Sequence, residues 1–124
     1  MASPRLVLSA LAVLATFASP AVAGKPKVES EITYRNGVED LAFVHEGKVK
    51  SALQSCVKGR TVKLYSEKDP GSFALDTTNR DGKYRIELPG DGIASDYYTK
   101  VTKEETQNAI CKAAESKHKP LETR

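Results

Sequence analysis

Cys56 and Cys111 are the residues whose chemistry is easiest to anticipate, because they are the only two cysteines in the chain. In an exported protein, two such thiols are expected to join as a disulfide. A metal site is a poor alternative, since His45 and His118 are the only histidines and the four residues match no ligand spacing. A redox role would need a C-x-x-C motif or a reactive lone thiol. We therefore expect a structural disulfide, worth roughly 4 kcal/mol for a closed loop of about 55 residues.

Catalysis needs a nucleophile beside a base, or two carboxyl groups of different pKa. No G-x-S-x-G motif surrounds any serine. His45 lies in phase with apolar residues of a predicted strand, which favours a half-buried packing role, and His118 lies in a polar tail. We therefore expect no enzymatic activity, no metal and no other cofactor. A loose calcium site at Asp91 and Asp96 is the alternative that the sequence leaves open.

Exposed aromatic and basic side chains could instead bind a partner. Tyr97 and Tyr98 alternate across a predicted strand, so one packs inward and the other presents its ring. A tyrosine beside lysines and arginines makes a platform for a sugar or a peptide, although an ordinary cross-strand pair is the simpler interpretation. The candidate contact surface consists of Tyr98, Arg80, Lys83 and Arg85, together with the loops at residues 69–72 and 79–82.

Short β-strands separated by turns are the elements that must carry these residues. Apolar and polar residues alternate with a period of two over residues 28–34, 41–50, 60–66, 73–78, 83–88 and 97–102. Turn-forming residues lie between strands at 35–37, 69–71, 79–82 and 89–92. In the second strand Leu41, Phe43 and Val49 share one face, and Gly47 marks a bulge or a close backbone approach. Strands at this spacing predict an all-β sandwich.

The segment at residues 103–116 is ambiguous. Its Ala, Glu, Lys and Gln residues are good helix formers. A loop followed by a strand around residues 110–114 is the alternative, and we favour it because it brings Cys111 beside the sheet and within reach of Cys56. The tail from Lys117 onward is polar, and we expect it to be frayed.

Residues 1–23 have the pattern of a secretory signal peptide. A single positive charge at Arg5 precedes an apolar run over residues 6–17, and the segment ends in the small-x-small motif Ala21-Val22-Ala23. The apolar run is too short to span a bilayer as a stable helix, which needs roughly 20 residues. We expect cleavage and no membrane span afterwards. The expected remainder is a polar lead-in, one sandwich domain and a polar tail, at residues 24–27, 28–116 and 117–124.

The charge of the chain argues against a nucleic-acid partner. Its formal net charge is +3, and this falls by one, to +2, without residues 1–23, which hold Arg5 and no acidic residue. Basic and acidic residues are interspersed throughout the remainder, whereas nucleic-acid-binding domains concentrate a basic stripe.

From residue 47 onward, the order of motifs resembles a known superfamily. A V-x-L strand is followed by a T-x-x-D-G-x-Y hairpin, here Val62-Lys63-Leu64 and then Thr78, Asp81, Gly82 and Tyr84. The pattern is similar to that of the carboxypeptidase regulatory-like and transthyretin-like (prealbumin-like) β-sandwich superfamily, whose relatives include the Cna-B repeats, over roughly residues 43–114. The chain also resembles small exported bacterial proteins that add two cysteines. The resemblance implies an immunoglobulin-like or prealbumin-like sandwich of about seven short strands that acts as a non-catalytic scaffold, spacer or binding module.

These observations favour a secreted or cell-envelope module that binds an unknown protein or glycan at the cell exterior, or acts there as a structural spacer. The alternative function is a secreted inhibitor of an extracellular enzyme, because a small sandwich closed by a disulfide presents rigid loops.

Overall fold

Strands make up almost the whole body of the chain. A computed structural model describes residues 24–89 and 95–122, and among them η1 (Gln54–Cys56), a short 3-10 turn, is the only helical element. The strands in chain order are β1 (Lys27–Val28), β2 (Ser30–Ile32), β3 (Arg35–Glu39), β4 (Ala42–Ser51), β5 (Thr61–Ser66), β6 (Asp69–Thr77), β7 (Lys83–Pro89), β8 (Asp96–Val101), β9 (Glu104–Glu105), β10 (Ile110–Cys111), β11 (Ala114–Glu115) and β12 (Lys119–Pro120). The expected all-β class is confirmed. The signal-peptide prediction falls on residues 1–23, outside the described residues.

The first sheet is built around the long strand β4. Strands β2 and β3 pair one after the other along one side of β4, and β7 pairs along its other side, all antiparallel. The sheet is therefore three strands wide, with β2 and β3 as two halves of one strand. Gly47 lies where the halves meet, and a Cβ atom there would be 2.0 Å from the carbonyl oxygen of Thr33. The predicted close backbone approach at this glycine is confirmed.

The second sheet has the order β6, β5, β8, followed by β11 and β12 in succession along the far side of β8. Counting β2 with β3 as the first strand and β11 with β12 as the seventh, the first, second and fifth strands form one sheet. The third, fourth, sixth and seventh form the other. This order is that of an immunoglobulin-type sandwich, except that the fourth strand pairs with the third instead of the fifth.

The core lies between the two sheets, in two apolar clusters that draw residues from both. The first cluster consists of Ile32, Val49, Val62, Tyr84 and Val101. The second consists of Tyr34, Leu64, Ile86 and Tyr97. Most of these residues have the parity that the alternation in the sequence predicts, because each strand buries one face and exposes the other.

A disulfide closes one end of the sandwich. The sulfur atoms of Cys56, in η1, and Cys111, in β10, are bonded, and their Cα atoms are 5.4 Å apart. Strand β10 pairs with β1 and β9 in a small third sheet at this end. The predicted disulfide is confirmed, and so is the choice of strand over helix for the segment before residue 116.

The turn between β3 and β4 is not where the sequence predicts it. Residues 35–37 lie inside β3, and the chain reverses at Asp40 and Leu41, which have φ values of 49° and 66°. Glu39 pairs with Ala42, leaving a two-residue loop, and positive φ at both of its positions is the conformation of a type I′ turn, whose twist matches that of the strands. Leu41 is therefore 91% exposed and does not share the inner face of β4.

The turn between β5 and β6 also lies earlier than predicted. Asp69 pairs with Ser66 at the start of β6, so residues 69–71 belong to the strand and the reversal falls at residues 67–68. A register shift between β5 and β6 accommodates this early pairing. The Asp-Pro-Gly sequence is a turn signal only locally, and the pairing of the strands overrides it.

The carboxy-terminal tail is part of the fold, so the expectation of a frayed segment is wrong. Strand β12 pairs with β8. Asn36 in β3 donates its amide to the Pro120 carbonyl (3.1 Å) and accepts a hydrogen bond from the Glu122 N–H (2.8 Å). Leu121 packs against the second apolar cluster. Leu121, Asn36 and the pairing of β12 thus order a tail that its polar composition alone predicts to be exposed.

Candidate functional site

The four residues predicted to form a contact surface do not lie together. Arg80, Lys83 and Arg85 are carried by β7 and the loop before it, beside the first sheet, whereas Tyr98 lies on β8 in the second sheet. Arg80 and Lys83 line one cleft together. Arg85 lies two residues further along β7, among carboxylates. The loop at residues 69–72 is not part of the lining of this cleft.

The cleft lies between the loop at residues 79–82 and the end of β4 and has a volume of about 650 Å³. We call it the basic cleft, because four of the side chains that line it are lysines or arginines. Its lining residues are Lys48, Val49, Lys50, Ser51, Gln54, Val57, Arg80, Asp81 and Lys83.

The lysines of the basic cleft share one face because of strand geometry. Val49 is buried, so the flanking Lys48 and Lys50 both point outward from β4. Lys83 is the direct cross-strand partner of Lys48. Like charges directly opposite each other on an antiparallel pair are destabilising. The register of β4 and β7 therefore places two lysines opposite each other.

No carboxylate neutralises these cations within the part of the chain that the structure describes. The side chains of Lys48, Lys50, Arg80 and Lys83 make no ion pair or hydrogen bond with any residue of 24–89 or 95–122. Asp81 lines the cleft, so four positive charges face one negative charge and the formal balance is +3.

A further carboxylate, that of Glu31, lies near one end of the basic cleft. Glu31 is the cross-strand partner of Lys50. The two side chains nevertheless form none of the ion pairs found between described residues. The other two lysines, Lys48 and Lys83, lie opposite each other, so neither has a carboxylate as its partner across β4 and β7.

The loop that carries Arg80 is rigid because its own residues satisfy its backbone. The Asn79 side-chain oxygen accepts hydrogen bonds from the N–H groups of Asp81 (2.9 Å) and Lys83 (3.0 Å). Gly82 has φ of 85°, and a Cβ atom there would lie 2.3 Å from the carbonyl oxygen of Val49. Only glycine fits both the conformation and the space. The turn predicted at residues 79–82 is confirmed, but it connects β6 in the second sheet to β7 in the first, so the prediction that it closes a hairpin is wrong.

This loop is also tied to the disulfide. Gln54, in the same turn as Cys56, donates its side-chain amide to the carbonyl oxygen of Arg80 (2.8 Å). Thr78 donates its hydroxyl to the Val57 carbonyl (2.7 Å). Cys56 is bonded to Cys111, near the other end of the chain. The disulfide therefore fixes the position of η1, and Gln54 in η1 in turn fixes the loop at residues 79–82.

Arg60 is a buried residue whose role was not predicted. Its side chain is 1% exposed and donates to the carbonyl oxygens of Cys56 (2.7 Å), Thr102 (2.8 Å) and Lys112 (3.1 Å). Its Nε atom is 3.4 Å from the carboxylate of Glu104 but makes no hydrogen bond. Burial lowers the pKa of this guanidinium, and Glu104 opposes that shift. Arg60 thereby joins the loops at the disulfide end, and its parity with inward-facing Val62 and Leu64 was the available signal.

Arg85 has its charge compensated. Its guanidinium lies 3.1 Å from the carboxylate of Glu39, 3.2 Å from that of Glu46 and 3.3 Å from that of Glu87. Glu46 also pairs with Arg35 at 3.0 Å. This residue is therefore engaged in a surface ion-pair network.

Tyr98 presents no open ring face. Its ring stacks on that of Tyr65 (centroids 5.3 Å apart) and on that of His118 (centroids 3.9 Å apart). Because β5 and the tail lie on opposite sides of β8, the Tyr98 ring is between the other two. His118 also contacts the carboxylates of Glu67 and Glu115, which raise the pKa of its imidazole. The cluster fastens the tail to the sheet.

His45 is buried more completely than expected, in a structural setting. The Tyr34 hydroxyl, which accepts a hydrogen bond from the Asn36 amide (3.0 Å), also forms a hydrogen bond of 2.7 Å with His45 Nδ1. Burial lowers the pKa of His45 to about 4, so the ring is neutral at pH 7. The predicted packing role is confirmed.

The calcium possibility rests partly on Asp91, which lies outside the described residues. Within residues 24–89 and 95–122, no three His, Cys, Asp or Glu side chains lie close enough together to hold a metal ion. No helix in the same residues is long and apolar enough to cross a membrane.

Comparisons with known proteins found no matching family model, no matching curated protein and no matching solved structure. What the chain does must therefore be inferred from the basic cleft and the fold that builds it.

Proposed function

We propose that this chain is an exported, non-catalytic β-sandwich module that binds an anionic partner at the cell exterior through the basic cleft. The observation that carries the proposal is the uncompensated cross-strand pair of Lys48 and Lys83. Opposed like charges destabilise an antiparallel pair, so the stability of the sheet alone does not account for this choice of residues. The pair is accounted for if a bound anion supplies the missing negative charge.

The rigidity of the site supports binding as its role. The backbone of the 79–82 loop is fixed by Asn79, by Gly82 and by the Gln54 amide. A site whose groups are already in place loses little conformational entropy when a ligand binds. The cleft therefore needs no rearrangement to receive an anion.

Three features support the exterior location and the absence of catalysis. The pattern of residues 1–23 is that of a cleaved signal peptide. A disulfide between Cys56 and Cys111 fits an oxidising compartment. The resemblance to a superfamily of non-catalytic scaffolds and binding modules agrees with both. Mass spectrometry of protein recovered from culture medium or cell envelope tests the location, and the expected mature chain begins at Gly24.

An NMR titration tests the binding site. Isotope-labelled protein is titrated with sodium tripolyphosphate in low-salt buffer, and the amide shifts are followed. We expect the shifts to concentrate at residues 48–50 and 80–83, and Lys83→Gln to weaken them. Lys63→Gln is the matched control, because Lys63 lies on the outer face of the other sheet and has no ion pair with a described residue. Equal shifts in both variants, or shifts elsewhere only, would refute the site.

A further inference from the structure

We infer that the partner of the basic cleft is an acidic polysaccharide: a linear sugar polymer that carries carboxylate, sulfate or phosphate groups at regular intervals. The inference rests on the proposed function and names the ligand class of the same cleft. It follows from the spacing of the cations, from the shape of the surface, and from the kinds of side chain that lie beside the charges.

The cations lie on two neighbouring segments of the chain. Lys48 and Lys50 are two residues apart on one face of β4, which separates their Cα atoms by about 7 Å. Lys83 lies directly across from Lys48, with Cβ atoms about 5 Å apart, and Arg80 lies on the loop that precedes Lys83. A single small oxyanion contacts only neighbouring members of such a series. A polymer with repeated charged groups contacts all of them.

The surface continues beyond the basic cleft. A second groove of about 780 Å³ adjoins it, and Lys48 and Lys83 line both. The second groove passes over Gly47 and carries charges of both signs, including Glu46 and Arg85. The two grooves in series form a path that is longer than one sugar or one anionic group, with unneutralised charge concentrated at one end.

The polar groups in the basic cleft suit a hydroxylated ligand. Gln54 uses its amide nitrogen to hold the loop, and its side-chain oxygen makes no hydrogen bond with a described residue, so it can accept one from a sugar hydroxyl. Ser51 donates its hydroxyl to the carbonyl of Glu29 and retains lone pairs as an acceptor. Both residues lie next to the lysines.

A nucleic acid fits the cleft less well. Proteins that bind single strands combine a basic groove with aromatic side chains on which bases stack. No tyrosine, phenylalanine or histidine is among the residues that line the basic cleft. The stacked rings of Tyr65, Tyr98 and His118 lie on the other sheet and cover one another.

The test is a calorimetric titration of the full mature protein with oligogalacturonates, from the monomer to the octamer, with sulfated glucan oligomers and neutral glucans of matched length. We expect no measurable binding of the monomer or of the neutral chains. Affinity for the charged oligomers should rise with length and fall steeply with salt, because counterions are released. Lys83→Gln should lower octamer affinity about tenfold, the loss of one charged hydrogen bond, and lower the salt slope by roughly one. Lys63→Gln should change neither.

The outcomes separate this inference from the proposed function. If tripolyphosphate or the galacturonate monomer binds at the cleft as tightly as the octamer, the polymer inference is wrong and the proposed function stands. If single-stranded DNA of equal charge binds as tightly as the acidic oligosaccharides, the choice of polysaccharide is wrong. If no anion of any kind binds in low salt, both are wrong.

Discussion

Two rows of side chains lie two residues apart on the same strands and differ in whether their charges are paired. In the first, Arg35, Glu46 and Arg85 lie side by side across β3, β4 and β7, with alternating signs and ion pairs of 3.0–3.2 Å. In the second, Lys48 faces Lys83 with no acidic side chain paired to either. We call these the ion-pair row and the lysine row.

The difference supports separate roles for the two rows. Both lie on the outer face of one sheet. Exposed ion pairs contribute about 0.2–1 kcal/mol each, and opposed like charges cost a similar amount. The ion-pair row is therefore explained by its contribution to folding, whereas the lysine row is the feature on which the proposed binding of an anion rests.

A second like-charged pair sharpens this distinction. Lys63 faces Lys100 on the outer face of the second sheet. The Lys100 ammonium is 3.7 Å from the carboxylate of Glu115 and 5.0 Å from the centroid of the Tyr65 ring. Its charge is thus compensated from within the protein, as the charges of Lys48 and Lys83 are not.

The largest expected effect comes from removing the covalent support of the lysine row. In the Cys56→Ala/Cys111→Ala double variant, we expect the free energy of unfolding to fall by about 4 kcal/mol, from the entropy of the opened loop. Anion binding should weaken as well, because the turn with Gln54 then holds Arg80 less firmly. Urea denaturation and the same calorimetric titration measure both effects. Unchanged affinity in a folded double variant would show that the cleft does not depend on the disulfide.

Arg60 differs from both rows because its charged side chain is completely buried. We expect Arg60→Met to lower the free energy of unfolding by about 3 kcal/mol, because three carbonyl oxygens lose their donor. Arg80→Met is the matched control, because Arg80 is exposed and its side chain has no partner among the described residues. It should change stability by less than about 0.5 kcal/mol. Equal losses in the two variants would mean that the buried network contributes nothing.

His45 lies on the inner face of β4, and its burial makes the free energy of unfolding depend on pH. Because burial lowers the pKa of the folded-state imidazole from its ordinary value of 6.5 to about 4, the neutral ring stabilises the fold fully above about pH 6.5. This contribution is lost as the pH falls toward 4, and amounts to about 3 kcal/mol. Urea midpoints between pH 7 and pH 4 measure it. His45→Gln should flatten that decline, and an equally steep decline in this variant would assign it to other groups.

The alternation of residues made much of this fold predictable. Strand β7 was anticipated residue by residue, since Tyr84 and Ile86 face the core and their neighbours face water. The turn signals at residues 35–37 and 69–71 failed because pairing between strands outweighs local turn preference. The expectation of a frayed tail failed for a similar reason, since Leu121 packs on the second apolar cluster and Asn36 bonds to Pro120 and Glu122, which are all contacts between distant parts of the sequence.

The candidate site was predictable only in part. Lys83 was singled out as a basic residue on the outer face of a predicted strand, and Arg80 as part of the predicted 79–82 loop. Lys48 and Lys50 were not, because their place beside Lys83 depends on the register between β4 and β7, which lie far apart in the chain. Spacing within one strand carries no information about that register. Tyr98 was grouped with Arg80, Lys83 and Arg85 for the same reason, although it lies in the other sheet.

A smaller effect is expected in the ion-pair row. Glu46→Gln removes the carboxylate shared by Arg35 and Arg85. The free energy of unfolding should fall by about 0.5 kcal/mol at low salt, and by less in 1 M NaCl, where exposed charges are screened. Anion affinity in the basic cleft should stay the same or rise slightly, because a nearby negative charge has gone. A marked loss of anion affinity would contradict the separation of the two rows.

The most direct test of the central claim is to give the lysine row the acidic residue it lacks. In Lys83→Glu, the new carboxylate faces Lys48 and replaces repulsion with attraction. We predict that one protein preparation, measured at low salt by urea denaturation and by titration with the acidic octamer, will show opposite changes. The free energy of unfolding should rise by about 0.5 kcal/mol, and binding should fall at least tenfold. A variant that binds as well as the original chain, or one that is less stable, would contradict the account.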